Sequence, residues 1–222
     1  MLVPSWFLLK QRIPPRKAGP IVEWAAFEEV PYTLFSVGMF LNFWGVYIAF
    51  FYIGTFAKSS IGMSSKQATD LLMIMNGVGF LARIIPNYVA DRYTGPMNML
   101  ILSALLSAVL LLGWIGVTGA STLYVFVVFY GIFAASTQSM FPATLASIST
   151  NLDTMGTRLG MVLTIVSFAS LTGPPIAGAL LAKAKGDYIF VQLFAGLCMM
   201  AGTATLMVGR VYKYGVGLRV KA

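Results

Sequence analysis

Arg83 is the residue of this sequence that could most directly do chemistry, because it lies within an apolar stretch. It belongs to the segment from Asn76 to Pro96, NGVGFLARIIPNYVADRYTGP, in which the other charges come only at the final turn. An arginine at the centre of a membrane helix costs about 2.5 to 3.5 kcal/mol on insertion scales, so it usually faces an interior or a water-filled path. We therefore predict a functional role for Arg83. The alternative is that its side chain extends to the lipid headgroups from a position near the helix end.

The residues around Arg83 form a small and polar stripe. Helical spacing places Asn76, Gly79, Arg83, Asn87 and Ala90 on one face, with the larger apolar side chains mostly elsewhere. We expect this face to meet protein or water.

The composition is that of a membrane protein. Hydrophobic residues make up 58% of the 222 residues and charged residues only 10%, with a mean hydropathy of +0.82, whereas soluble domains carry roughly 25% charged residues. The formal net charge is +8, which in a soluble chain indicates nucleic acid or an acidic partner. Here the basic residues mostly flank apolar spans, so they are interpreted as topology determinants. The predicted partner is the lipid bilayer, and no nucleic acid is expected.

The residue types present argue against enzymatic chemistry. The sequence has no histidine, and Cys198 is its single cysteine, so disulfides within the chain, metal clusters of Cys and His, and histidine catalysis are excluded. The acidic residues fall in predicted loops or at span ends. We predict no enzyme, no catalytic residue, no metal and no cofactor. A channel would need rings of charges or carbonyl-presenting loops, for which Arg83 alone is poor support.

The apolar runs predict an all-α, polytopic membrane protein with six spans, each near the ~20 residues that a bilayer requires. Residues 1–31 are interpreted as the stub of a preceding helix followed by a basic, proline-punctuated cytoplasmic linker, and residues 209–222 as a basic cytoplasmic tail. The predicted spans are 32–56, 68–90, 97–117, 123–146, 159–182 and 189–208.

Basic residues predict the orientation of these spans. Ten lie on one side, in the linker, at Arg92 and Arg158, and in the tail, whereas four lie on the other. Because cytoplasmic loops carry the excess of Lys and Arg, both termini are predicted to be cytoplasmic.

Polar side chains are concentrated in the first, second, fourth and fifth spans, which predicts a cavity lined by these four, with the third and sixth peripheral. Helices in lipid also associate through small and polar residues, so each stripe taken alone is equally consistent with a helix contact that binds nothing. The predicted cavity residues are Asn42, Tyr47, Asn76, Arg83, Gln138 and Phe141.

Four stretches resemble a known family. They are IPPRKAGPIVEWAAFEEVPY, LFSVGMFLNFWGVYIAFFYI, NGVGFLARIIPNYVADRYTGP and MGTRLGMVLTIVSFASLTGPPIAGALL. They resemble the C-terminal six-helix half of a major facilitator superfamily transporter, in its fungal monocarboxylate-transporter-like (riboflavin-transporter-like) branch. The resemblance implies half of a twelve-helix carrier, with Met1 to Leu9 as the remnant of the sixth helix and an N-terminal half as the missing partner.

The resemblance also implies residue roles. Arg83 resembles the arginine that pairs with the substrate carboxylate, and Phe141 the phenylalanine that narrows the substrate pocket. Asp91 and Arg92 resemble the charged turn that latches the cytoplasmic face, although a solvated turn is the plainer interpretation of either one alone. The family's aspartate one turn before the arginine is Gly79 here, which puts proton coupling in doubt.

These expectations lead to two functional hypotheses. The first is secondary transport of a small organic solute, a monocarboxylate-like anion or related metabolite, by alternating access. Because one six-helix bundle has nothing to rock against, the second is a truncated transporter product that inserts in the membrane without transporting. The sequence selects neither the substrate nor the membrane.

Overall fold

The fold is described from a computed structural model that covers residues 21–149, 154–215 and 217. Over this part of the chain the regular structure is entirely helical, and six helices are long and apolar enough to cross a membrane. The predicted all-α, six-span architecture is confirmed. The described residues leave out most of the predicted N-terminal stub and linker, residues 150–153 and the end of the predicted tail.

The helices follow the predicted spans closely, and most extend beyond the apolar runs. The last helix continues to residue 214, where the prediction had placed its end at 208. The helices are α1 (Val30–Ser59), α2 (Ser65–Ala82), α3 (Ile85–Val89), α4 (Pro96–Gly113), α5 (Ala120–Ile148), α6 (Met155–Lys183) and α7 (Ile189–Tyr214). Shorter turns of 3-10 type lie at Trp24–Glu28 and Trp114–Gly116, and a π-helical turn lies at Ala90–Thr94.

Local sequence signals fix the start of α2. The Ser64 hydroxyl accepts from the Gln67 backbone N–H, and the Gln67 side-chain oxygen accepts from the Ser64 N–H. This reciprocal capping box satisfies two N–H groups that the first turn of a helix leaves free.

The second predicted span is broken in the middle. Helix α2 ends at Ala82, Arg83 and Ile84 form a turn, and α3 begins at Ile85. Pro86 explains the break, because it has no N–H to donate to the carbonyl four residues earlier and its ring crowds that carbonyl. The predicted single helical face through Arg83 is therefore divided, and its members Gly79 and Ala90 are buried against protein.

Helix α1 is the centre of the bundle, packing against α7, α6 and α2 and also touching α5. Helix α4 packs against α5 and α7. In the most apolar stretches of the second and fifth spans, only 28% and 22% of residues are buried, against 44–56% in the other four. The α2 and α6 helices, on the two sides of α1, therefore have open faces.

Glycines let the helices approach closely at several crossings. A Cβ on Gly131 of α5 would lie 2.7 Å from the Met75 carbonyl oxygen of α2, and one on Gly173 of α6 would lie 2.9 Å from the Trp44 carbonyl oxygen of α1. Small residues at such crossings are the usual means of helix association in lipid.

We expect Gly131→Ala to destabilise the bundle by about 1 to 3 kcal/mol, because the new methyl group meets a backbone atom and the two helices must separate. Gly77→Ala on α2 is the matched control, since a Cβ there has nothing within 4 Å and alanine gains about 0.5 to 1 kcal/mol over glycine inside a helix. Thermal unfolding in detergent measures both. Equal shifts in the two variants would contradict the close approach.

A buried ion-pair cluster joins the start of α6 to the segment before α1. The Arg158 guanidinium donates to Glu23 from Nε (3.1 Å) and Nη2 (2.9 Å), and to Glu29 from Nη1 (3.0 Å) and Nη2 (2.5 Å). It also lies 5.6 Å from the centre of the Tyr32 ring, whose hydroxyl donates to the Arg158 carbonyl. Charge-assisted, bidentate bonds of this kind are the strong ones. Arg158, predicted only as a topology charge, is a structural residue.

We expect the contribution of Glu23 to depend on pH. The hydrogen bonds from Arg158 hold the pKa of Glu23 below its ordinary value of 4.5. Its stabilisation is therefore present above that value and is lost as the pH falls through the lower pKa of the folded protein. At neutral pH, Glu23→Gln should lower the free energy of unfolding by about 1 to 3 kcal/mol, and the difference from wild type should shrink in acid.

Unfolding curves at pH 7 and in a series below pH 4.5 test this expectation. The exposed Glu28 provides the control, Glu28→Gln, which should stay within about 0.5 kcal/mol of wild type. A Glu23→Gln deficit that is the same at every pH would show that the carboxylate charge is not its cause.

Candidate functional site

The site begins with two predicted residues that the fold brings together. The Tyr47 hydroxyl of α1 donates to the side-chain oxygen of Gln138 on α5 at 3.4 Å, and the Gln138 amide donates to the Ala134 carbonyl at 3.3 Å. Both side chains are half-buried. At these lengths the bonds are weak, so both groups remain able to bind a ligand.

Aromatic rings form the floor under this pair. The Phe43 ring lies edge-on to Tyr47, with centroids 5.7 Å apart, and edge-on to Phe141 at 6.0 Å. Phe141 also stacks on Phe35 at 5.6 Å and is only 3% exposed. Phe141 thus supports the site from below in this structure and does not line open space. Such ring pairs contribute about 0.5 to 1.5 kcal/mol beyond their burial.

Arg83 lies at the break between α2 and α3 with its side chain exposed. The segment that carries Arg83 meets α5 beside Gln138, because Asn87, one turn further on, donates to the Ser139 hydroxyl at 3.0 Å. This placement is consistent with the interpretation in which Arg83 faces the interior of a carrier.

A second amide lies one turn beyond Arg83. The Asn87 side-chain nitrogen donates to the Arg83 carbonyl at 2.5 Å and to the Ser139 hydroxyl of α5 at 3.0 Å. The sequence placed Asn87 on the polar stripe but not among the binding residues, and Ser139 was missed. The position of Ser139 beside Gln138 was the available signal.

Two other predicted cavity residues lie apart from this group. Asn42 is fully buried, and a Cβ on Gly202 of α7 would lie 2.6 Å from its side-chain nitrogen, which donates to the Gly38 carbonyl at 2.8 Å. Asn76 is exposed on α2 and donates to the Leu72 carbonyl at 2.8 Å. The structure therefore brings Tyr47 and Gln138 together, with Arg83 on the segment that meets α5 beside Gln138, and it places Asn42 at the contact of α1 with α7.

The predicted latch residues, Asp91 and Arg92, are both exposed on the π-helical turn that follows α3. They lie two turns beyond Arg83 and are separate from the group around Tyr47. A role in holding the cytoplasmic face closed stays a prediction.

Gly79, where the resemblance to monocarboxylate transporters led us to expect an aspartate, is buried between α2 and α5. A Cβ there would lie 3.2 Å from the Ala135 Cβ and 3.7 Å from the Gly131 carbonyl oxygen. A longer side chain at this position would push the two helices apart, so glycine is a packing requirement here.

The site can bind but has no evident means of making or breaking bonds. It offers a permanent positive charge, a phenol and an amide on the open side of a helical bundle, above aromatic rings. Polar groups that converge over an apolar floor are typical of a small-molecule site. The fold and this site together are those of a polytopic helical membrane protein with a candidate binding site for a small solute.

Comparisons with known proteins agree with that class. The family model of the Major Facilitator Superfamily matches residues 4–216, so the chain belongs to this superfamily. An MFS-type transporter of Gibberella zeae is 42% identical over 204 residues, which are 91% of this chain and 46% of the relative. The MFS-type transporter opdF of Penicillium oxalicum is 34% identical over 93% of this chain and 48% of its own length. The Aspyridones efflux protein apdF of Emericella nidulans is 33% identical over 87% and 39%.

A solved structure shares the fold. The fucose:proton symporter of Escherichia coli matches 94% of this chain and 52% of its own chain, with a TM-score of 0.75 at 16% identity. The chain thus spans about half the length of the relatives that it matches.

Proposed function

We propose that this chain forms the C-terminal six-helix half of a carrier in the monocarboxylate-transporter-like branch of the superfamily. In that role it moves a small organic anion across a membrane by alternating access. The observation that carries the proposal is the hydrogen bond of Tyr47 to Gln138, next to the contact of Asn87 with Ser139 that brings the Arg83 segment against α5. Both termini are proposed to lie in the cytoplasm, as the distribution of basic residues indicates.

The proposed residues have distinct roles. The Arg83 guanidinium recognises the carboxylate of the substrate through two parallel hydrogen bonds. Tyr47 and Gln138 donate to other oxygen atoms of the substrate. The rings of Phe43 and Phe141, beneath these two side chains, support the apolar part of the substrate. Asn76 is retained as an outer contact because its side chain is exposed on the same span as Arg83. Asn42 is left out, because its contacts with α7 account for its burial.

The proposed partner is an N-terminal six-helix half. Carriers of this type hold the substrate near the midplane between two halves, and this chain matches 46–48% of two relatives and 52% of the symporter. The open faces of α2 and α6 support the same conclusion, since a second bundle would cover them. Because the glycine at position 79 has no side chain to carry a proton, we propose transport without proton transfer at that position.

Export is the second candidate direction. Two relatives are named for the efflux of aspyridones and of agnestins. Labelled benzoate, pyruvate and lactate, tested in both directions in proteoliposomes, separate uptake from export and aromatic from aliphatic acids.

A chain that inserts without transporting is the alternative to the proposal. We expect the chain alone to give no transport of labelled benzoate or pyruvate, and the complete carrier with both halves to give saturable transport. Saturable transport by the six-helix chain alone would overturn the need for a second half. A complete carrier that moves none of the acids would favour the inactive alternative.

In the complete carrier, we expect Arg83→Ala to lower kcat/KM for the transported acid about ten- to a hundredfold, because charge-assisted hydrogen bonds contribute about 1.5 to 3 kcal/mol. Arg83→Lys should retain part of the affinity, since it keeps the charge but loses the planar, two-pronged geometry. Surface expression and thermal unfolding should match wild type.

Lys66→Gln is the matched control for this measurement. Lys66 is an exposed cation in the first turn of α2, away from the group around Tyr47. Its neutralisation should leave transport unchanged. Normal transport by the Arg83→Ala variant would indicate instead that the Arg83 side chain extends to the lipid headgroups.

A further inference from the structure

Asn87 makes two contacts that the proposed binding roles do not use. Its side-chain nitrogen donates one hydrogen to the Arg83 carbonyl at 2.5 Å and the other to the Ser139 hydroxyl at 3.0 Å. An amide NH₂ group has two hydrogens to donate, so this group uses both, one on each side of a helix crossing.

The first contact lies on the break in the second span. Pro86 cannot donate to the carbonyl of Ala82, four residues earlier, and the chain from Arg83 to Ile84 is a turn, so the helical bonding pattern is interrupted here. Backbone carbonyls freed in this way need another donor, because an unsatisfied polar group in the bilayer costs several kcal/mol. The Asn87 side chain supplies such a donor to the carbonyl of Arg83, which is the residue whose side chain carries the site's charge.

The second contact connects this break to α5. Ser139 accepts from Asn87 and donates to the Ser136 carbonyl at 3.0 Å. The hydroxyl of Ser136 in turn lies 2.8 Å from that of Ser103 on α4, and both of these serines are almost fully buried. Ser139 is therefore held by the core of the bundle, and it directly follows Gln138 in the sequence.

We propose that Asn87 is a positioning residue for the solute site. By bonding the Arg83 backbone on one side and Ser139 on the other, it sets the distance from the guanidinium of Arg83 to Gln138 and Tyr47. That distance selects substrates by the spacing between their anionic group and their neutral polar groups. The inference rests on the proposed function, because it assigns selectivity to the same site.

The contact itself is tested first, in the chain reconstituted in lipid nanodiscs. Leucine resembles asparagine in size but has no donor, so Asn87→Leu should speed hydrogen exchange of the backbone amides around Arg83 about fivefold, the worth of one ordinary hydrogen bond. Thr205→Val is the matched control. Thr205 is half-buried on α7 and donates to the carbonyl four residues earlier within an unbroken helix, so its loss should leave the Arg83 segment unchanged.

Transport by the complete carrier is tested next, with labelled pyruvate and lactate as probes, because each has a neutral polar group beside its carboxylate. Asn87→Leu and Ser139→Ala should each raise KM about fivefold with the maximal rate unchanged, since each removes one hydrogen bond that positions the guanidinium. Ser139→Thr, which keeps the hydroxyl, should restore the wild-type KM. The double variant Asn87→Leu with Ser139→Ala should be little worse than either single variant, because the two residues share one contact.

The possible results separate the two proposals. If the wild-type carrier moves neither probe, the proposed function fails and the positioning role fails with it. If the wild type transports and Asn87→Leu speeds exchange without raising KM, the positioning role alone is overturned. A lower maximal rate with unchanged KM, or the failure of Ser139→Thr to restore KM, overturns it as well.

Discussion

The structure depends on how the chain satisfies the backbone groups that Pro86 disturbs in the second span. In a bilayer there is no water to bond a free carbonyl, so a broken helix needs donors from its own side chains or its neighbours. The Asn87 side chain donates to the Arg83 carbonyl at 2.5 Å, and its second hydrogen bond connects this segment to α5. The same break exposes the Arg83 side chain. The break near Pro86 therefore accounts both for the position of the Arg83 charge and for the side-chain hydrogen bond to the Arg83 carbonyl.

The other helices pack closely, and the contacts between them hold the helices around this break in place. Tyr130 of α5 donates to the Val46 carbonyl of α1 at 2.6 Å, and Tyr52 of α1 donates to the Pro174 carbonyl of α6 at 2.8 Å. Together with the glycine crossings, these bonds fix α1 between α5 and α6. Because helices in lipid gain little from hydrophobic association, contacts of this kind carry the stability that a soluble protein would draw from its apolar core. They also hold Tyr47 where it meets Gln138.

The all-helical, six-span fold could be predicted from the sequence, because length and hydropathy are direct consequences of bilayer thickness. The sequence placed Tyr47, Gln138 and Arg83 in one cavity; the fold joins Tyr47 to Gln138 by a hydrogen bond, and the binding role of the three stays a prediction. A helical stripe does not reveal which neighbouring helix it meets, however. The stripe through Asn42 meets Gly202 of α7 and fits the alternative of helix contact without a ligand. The cluster of Arg158 with Glu23 and Glu29 could not be predicted, because its members are more than 120 positions apart in the sequence.

That cluster has a mechanical consequence. Glu29 directly precedes α1, and Arg158 lies in the first turn of α6, so their ion pair joins two transmembrane helices at the same end. Helices joined at one end cannot slide past each other along their axes, although they can still bend together. The α1 and α6 helices therefore move together as one stiff unit. A displacement of the chain before α1 is passed on to both helices, and so to Tyr47 on α1.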